Sequence, residues 1–328
     1  MRSTSEIDTD SKRINVDPYS SSRKEDQTKT NKSVNGEVEG RIIARGAHYR
    51  YIIVGTFQKG EGIGMAHQSV DLSFLDRPEV LREVFYIRKS QSKLLAANAK
   101  DHFIEVEEGV KIGCRYYTRG KDYPSLLYFH GNGEIVDDLD PSAPLFNNIG
   151  INLFVATYRG YGLSTGTPTL TNVFKDSHQI YEGLKKIVEN YGFKKSLFVL
   201  GRSFGSLLAV ELAYNYKHDL RGLIVESGSA NNFRHLFSSI IPLDHPLVRD
   251  DSAFLNKVRL RSISKPTLII HGEKDGLLPA DEAKELYDNS AAKDKRLVII
   301  PNAGHDDLFT VGKEQYYRAI EEFVKDYR

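Results

Sequence analysis

The sequence predicts an α/β fold with a mostly parallel central sheet and helices on both faces. Three observations predict it. From about residue 102, short apolar runs without polar alternation recur: "SLLYFH", "INLFVAT", "SLFVLG", "LRGLIVE", "TLIIH" and "RLVIIP". Such runs suit strands buried on both faces, as in a parallel sheet covered by helices. Helical segments separate most of the later runs, and one is plainly amphipathic. Phe174, Tyr181, Leu184 and Val188 follow at spacings of seven, three and four, with Gly192 where a C-terminal cap belongs. Third, "SLFVLGRSFGSLLAVELAYNY" reads as a strand, a tight glycine turn and a helix.

The first forty residues are polar, rich in Ser, Thr, Lys and Asp, with almost no large apolar side chains. They bury too little surface to offset the entropy of ordering, so 1–40 are expected to form a disordered tail. There is no apolar h-region, and Glu6, Asp8 and Asp10 disfavour a transit peptide; a cytoplasmic location is expected. Residues 41–101 are expected to be an N-terminal extension packed on the main domain. There "RIIARGAHYRYIIVGTF" has strand character, and "DRPEVLREVFYIRKSQ" reads as a helix with its Pro in the first turn. The main domain is expected over 102–328. It opens with "HFIEVEE" and "KIGCRYYT", joined by "GV", an antiparallel hairpin at one sheet edge.

Composition excludes several function classes. Lys+Arg 45 against Asp+Glu 44 leaves no basic footprint for nucleic acid or an anionic membrane. A single cysteine, Cys114, rules out a disulfide framework and a cysteine metal site. No run approaches the ~18 apolar residues of a membrane span. The nearest glycine-rich piece, "GEGIGMAH", matches no phosphate-loop or dinucleotide fingerprint, so neither a cofactor nor a metal is expected.

The chemistry-bearing residues lie at the ends of the strand-like runs. Ser203 stands between Gly201 and Gly205, after a strand and before a helix, which is the context of a nucleophile elbow. So tight a turn needs small residues two before and two after the serine. The hydroxyl then projects at the carboxyl edge of the sheet, over a helix N-terminus that favours developing negative charge. Serine needs a base, and His305 in "PNAGHDDLF", directly after the last strand, reaches that edge. The imidazole needs a carboxylate. Asp275 in "HGEKDGLLP" is favoured, because the loop after the penultimate strand lies beside the one carrying His305. Glu273 is its neighbour, and Glu226 at the end of the preceding strand is the rival, otherwise read as a solvated or helix-capping carboxylate. For a tetrahedral oxyanion, "LLYFHGNGE" sets His130-Gly131-Asn132-Gly133 at the end of an early strand. Gly131 lets the backbone approach a substrate closely, and the expected donors are the amides of Asn132 and Phe204.

With "HGNGE", "YRGYGLSTG", "GRSFGS", "HGEKDGLLP" and "NAGHDD" in this order, residues 102–328 resemble an α/β-hydrolase of the serine-esterase type. The "HGNG" and "YRGYG" pair resembles compact members of depalmitoylase-like and lysophospholipase-like kinds. The resemblance implies the α/β-hydrolase fold and acyl transfer on a small-molecule ester or thioester through Ser203, His305 and Asp275. Two departures stand out. The lid region, 227–265, is short, and the N-terminus lacks the cysteine cluster that lipidated relatives carry. Serine at the elbow and the absence of tryptophan argue against haloalkane dehalogenase or epoxide hydrolase chemistry. Asp244, Asp250 and Asp251 keep a proline-iminopeptidase-like amide hydrolase open. A binding module without catalysis is the other alternative, although such modules typically lack a triad member. In the lid, Phe233, Leu236, Phe237 and Ile240 fall at i, i+3, i+4 and i+7, an apolar helix face expected to roof the acyl pocket, with Phe233 and Phe237 touching substrate.

Overall fold

The computed structural model describes residues 29–30, 37–45, 50–58, 71–90, 96–232, 245, 249–252 and 254–328. They divide into two compact units between residues 66 and 67. The smaller holds an antiparallel sheet, β1 (Lys29–Thr30), β2 (Glu37–Arg45) and β3 (Arg50–Gln58), with β2 and β3 paired along their full lengths. β1 and the start of β2 fall inside the range read as a disordered tail. Ladder pairing joins backbone groups and needs no apolar side chains there, so composition does not mark them.

The larger unit begins before residue 102. Its α1 (Pro78–Val84) has proline at its start, where the missing N–H is not needed. Leu72, Leu75, Val80 and Val84 are buried in one core with Ile104, Tyr158 and Leu170. The segment expected as a single N-terminal extension, 41–101, is therefore divided between the two units.

The main sheet has eight strands: β4 (Ala99–Glu107), β5 (Val110–Tyr117), β6 (Ser125–Phe129), β7 (Asn152–Ala156), β8 (Leu197–Arg202), β9 (Leu220–Glu226), β10 (Thr267–Gly272) and β11 (Lys295–Ile300). Their order is β11-β10-β9-β8-β6-β7-β5-β4, and β5 alone runs against the rest. The expected hairpin of β4 and β5 forms that edge.

Successive residues of the central strands feed two cores, as the period of two dictates. In β6, Leu127 and Phe129 join one core while Leu126 and Tyr128 join the other. The first core takes the buried faces of α3 (Leu170–Asn190), α4 (Gly205–Asn215) and α6 (Ala280–Asn289). The second takes α2 (Ala143–Asn148) and the C-terminal α8 (Lys313–Tyr327). Two further short helices are found among the described residues, α5 (Asn256–Leu260) and α7 (Leu308–Val311). α3 carries the four predicted apolar residues inward, is capped by the Thr169 hydroxyl at its start, and ends at Gly192 with φ 66°.

The connection from β6 leads to β7 on one side, and the chain then crosses back to place β8 on the other. A crevice forms where strand order reverses in this way, at the carboxyl ends of the two strands. The loop after β7 is anchored by Arg159, whose guanidinium is buried, pairs bidentately with buried Asp176 of α3 at 2.6 and 2.8 Å and reaches Glu107 at the end of β4 at 2.7 Å. Arg159→Leu would leave the Asp176 carboxylate buried and unpaired, a loss of about 3 kcal/mol. Urea unfolding measures it, and a change under about 1 kcal/mol would mean that Asp176 neutralises at little expense.

Candidate active site

Ser203 sits on the turn from β8 into α4 with φ 49°, a left-handed conformation that costs a non-glycine residue on the order of 1–3 kcal/mol. Its N–H donates to the Glu226 carbonyl at 2.8 Å, tying the turn to β9. The flanking glycines are required by space. A Cβ on Gly205 would stand 2.1 Å from the Phe129 carbonyl oxygen, and one on Gly201 would stand 2.3 Å from the Gly205 carbonyl oxygen. The start of α4 thus lies directly against the end of β6.

Two further loops converge on this turn. Those after β10 and β11 are laced together: Lys274 N–H donates to the Ala303 carbonyl at 2.8 Å and Asn302 N–H to the Glu273 carboxylate at 2.9 Å. They bring Asp275 and His305 side by side. His305 Nδ1 lies 2.7 Å from Asp275 Oδ2, and Nε2 lies 2.9 Å from Ser203 Oγ. An ionised carboxylate only accepts, so Nδ1 carries the proton and Nε2 is left to accept from the serine hydroxyl.

The Asp275 carboxylate has four donors. Oδ1 takes the backbone N–H groups of Leu277 at 2.9 Å and Leu278 at 2.7 Å. Oδ2 takes His305 and, at 3.2 Å, Nε2 of the fully buried His271. His271 Nε2 also lies 2.8 Å from the Leu278 carbonyl, so both partners are acceptors and Nε2 carries its proton. Burial alone would raise the Asp275 pKa. The bonds from His271, His305 and the Leu278 amide outweigh it and hold the carboxyl well below the usual range.

The loop after β6 provides the oxyanion candidates. Gly131 C=O accepts from His130 Nδ1 at 2.8 Å and from the Glu134 N–H at 3.3 Å. In a planar trans peptide the Asn132 N–H points the opposite way. Among the described residues no acceptor engages the backbone N–H of Asn132 or of Phe204. The Asn132 side chain is held by three bonds: it accepts from Tyr86 N–H at 3.1 Å and the Tyr161 hydroxyl at 2.9 Å, and donates to the Val84 carbonyl. The loop is pinned further by Arg88, which donates to the Gly133 carbonyl at 2.9 Å and pairs with Asp138 at 2.7 Å. Phe85 packs edge-on against Phe204 with centroids 5.7 Å apart.

Ser203, His305, Asp275, Asn132 and Phe204 therefore meet at one sheet edge. Gly131, expected to let the backbone approach substrate, donates its N–H to Glu134 Oε2 at 2.5 Å, and a Cβ on it would lie 2.5 Å from Arg202 Nη1. Its closeness accommodates a protein side chain. Glu226, read from sequence as solvated or capping, is fully buried; it faces Arg202 and accepts from the Tyr316 hydroxyl at 2.8 Å. Burial pushes its carboxyl up while Arg202 pulls it down. Phe233, Leu236, Phe237 and Ile240 lie outside the described residues, as does Asp244. Among the described residues no group of three or more His, Cys, Asp or Glu side chains is arranged to hold a metal ion. Nor is any described helix long and apolar enough to cross a membrane.

Sequence reasoning missed Arg202, Glu134, His271 and the segment 84–88. Two had a visible signal. Arg202 is a lone charge inside an apolar strand and glycine turn, and His271 ends a strand four residues before Asp275. The ties of residues 84–88 span more than forty positions and leave no local trace.

Residues 122–243 and 255–310 match the family model described as serine aminopeptidase, S33. Protein bem46 of Schizosaccharomyces pombe is 27% identical over 210 residues, 62% of this chain and 68% of the relative. Human alpha/beta hydrolase domain-containing protein 17B is 27% identical over 220 residues, 66% of this chain and 72% of that one. Among solved structures, the Pyrococcus furiosus esterase Pf2001 superposes with a TM-score of 0.59 at 21% identity, covering 73% of this chain and 99% of that one.

Two outcomes follow from the geometry. Gly205→Ala forces a methyl into the Phe129 carbonyl, with backbone on both sides, and should destabilise the protein by about 3 kcal/mol or more. A thermal midpoint within a degree or two of the parent would contradict the packing described. The stability that ionised Asp275 contributes is full above the ordinary aspartate pKa of about 3.9 and is withdrawn as pH falls toward its depressed folded value. The non-titrating Asp275→Asn lacks that contribution at every pH. The Tm difference between parent and variant should therefore shrink between about pH 6 and pH 3; a difference that widens would reverse the sign argued here.

Proposed function

Because the chain belongs to the serine aminopeptidase, S33 family and has the α/β-hydrolase fold, we propose that it is a serine hydrolase that cleaves carboxylic ester or thioester bonds through an acyl-enzyme. The observation that carries this reading is the continuous relay Ser203 Oγ, His305 Nε2, His305 Nδ1, Asp275 Oδ2, at 2.9 and 2.7 Å. As Ser203 Oγ attacks the carbonyl carbon, His305 Nε2 takes its proton, and Asp275 stabilises the imidazolium that results. The carbonyl π electrons move onto oxygen, where the amides of Asn132 and Phe204 are suited to receive the charge. Collapse breaks the bond to the leaving group, which takes the proton from His305. Water then repeats the sequence on the acyl-serine, releasing the acid and restoring the hydroxyl.

The family's description favours a second reading, hydrolysis of an aminoacyl amide. Such a substrate brings a free ammonium and calls for an acidic group near the site. Asp250 lies 3.8 Å from Lys257 and Asp251 lies 3.0 Å from Arg249, so their charge is already countered within the protein. The ester reading is therefore preferred, and a panel of p-nitrophenyl esters, thioesters and aminoacyl anilides separates the two.

Ser203→Ala should abolish labelling by a fluorophosphonate and lower kcat by about 10³-fold or more. Asp275→Asn should lower kcat by about 10⁴-fold through the wrong imidazole tautomer. Glu226→Gln, whose carboxyl faces Arg202 and Tyr316, should lower it far less. Retention of more than about a tenth of kcat in Ser203→Ala would refute the nucleophile assignment.

A further inference from the structure

Arg202, the residue before the nucleophile, is 3% exposed and reaches both loops that flank Ser203. Nη1 pairs with Glu134 at 2.8 Å, and the other oxygen of that carboxylate accepts the Gly131 N–H at 2.5 Å. Nη2 donates to the His305 carbonyl at 3.1 Å and to Asp306 at 2.7 Å. Nε faces Glu226 at 3.5 Å, on the residue whose carbonyl receives the Ser203 N–H.

We propose that Arg202 is a positioning residue that holds the oxyanion loop and the histidine loop in register on the nucleophile. The proposal rests on the serine hydrolase reading above. Stability does not account for the cluster, because a buried ion pair adds little net free energy once desolvation is counted. Geometry does account for it. Through Glu134 the guanidinium fixes Gly131, and with it the peptide that carries the Asn132 amide. Through the His305 carbonyl it fixes the backbone from which the imidazole projects. A planar fork does this in two directions at once, whereas a lysine ammonium is a point charge on a flexible stem. Removing the fork lets the oxyanion donor and the base shift relative to each other, although neither group is itself changed.

The test uses the full chain and a soluble p-nitrophenyl ester, after Ser203→Ala has been shown inactive; activity surviving that change refutes the parent reading and not this one. Active sites are counted by exhaustive fluorophosphonate labelling, so kcat is expressed per competent serine. Arg202→Met should lower kcat per site by about 10²-fold, the usual consequence of misplacing a site by about 1 Å. KM should change little, and affinity for an arylboronic acid, which forms a tetrahedral adduct on serine, should fall in parallel with kcat. If Arg202→Met does not fold, Arg202→Lys keeps the charge and carries the test. It should retain a near-parental Tm and still lose kcat and boronate affinity together. Glu134→Gln should reproduce part of the loss, and the double variant should lose less than the product of the singles, since both break one bridge. An unchanged kcat per labelled site, or a loss in KM alone with boronate affinity intact, would overturn the proposal.

Discussion

The contact on which the rest depends is between two pieces of backbone. Where α4 begins, Gly205 lies so close to the end of β6 that no side chain atom fits between them, and Gly201 is as close to Gly205. That packing holds the intervening Ser203 at φ 49° and aims its hydroxyl away from the sheet. It also brings the loop after β6 within reach of the same turn, since β6 and β8 are neighbours across the point where strand order reverses. The Ser203 hydroxyl and the backbone amides of Asn132 and Phe204 are juxtaposed by sheet topology before any side chain interaction is counted. Strain of this kind persists only where surrounding structure over-determines it, and here the Ser203 N–H is held by β9 as well.

Electrostatics then divides the buried carboxyls at this edge between two tasks. Asp275 has four donors, two of them backbone amides that cannot move away, and it stays ionised beside His305. Glu226 is more deeply buried, meets one cation and two tyrosine hydroxyls, of Tyr316 at 2.8 Å and Tyr128 at 3.5 Å, and has its pKa raised. The same residue chemistry thus answers to the number of fixed donors. In the serine hydrolase proposed above, the anion beside the imidazolium has to remain charged, and the donors around Asp275 favour that state more strongly than those around Glu226.

Much of this was legible in the chain because it is local. A strand followed by G-x-S-x-G and a helix, a glycine pair after an early strand, and an acidic and a histidine loop after the last two strands are each contained within ten or so residues. The amphipathic period of α3 and its glycine stop were equally plain. What escaped was non-local. The environment of Glu226 is set by Tyr316, ninety positions away, and by a strand whose central place in the sheet no window of sequence reveals. The close neighbour of Gly131 within the protein, Arg202, lies far away in sequence, and their contact was likewise not legible. Strand character was visible in 41–57, yet the boundary at residue 40 falls inside β2, because pairing is a property of two strands together.

The segment 71–90 changes what counts as the candidate catalytic domain. A reading by motif starts that domain at residue 102, yet Asn132 has its side chain held on three sides, by Val84, Tyr86 and Tyr161. Two of those holds come from before the first strand of the main sheet. The loop after β6 carries glycine on both sides of Asn132 and has few conformational restraints of its own, so the Asn132 amide has a fixed direction because its neighbours are tied. Arg88 adds an ion pair to Asp138 at the far end of the same loop, and the Gly162 N–H closes on the Arg88 carbonyl at 2.8 Å. The residues that meet at the sheet edge and those that hold this loop thus occupy different parts of the chain. In the serine hydrolase proposed above, rigidity lets a dipole stabilise a transition state without reorganising, so residues 84–88 would belong to the site as much as the loop they hold.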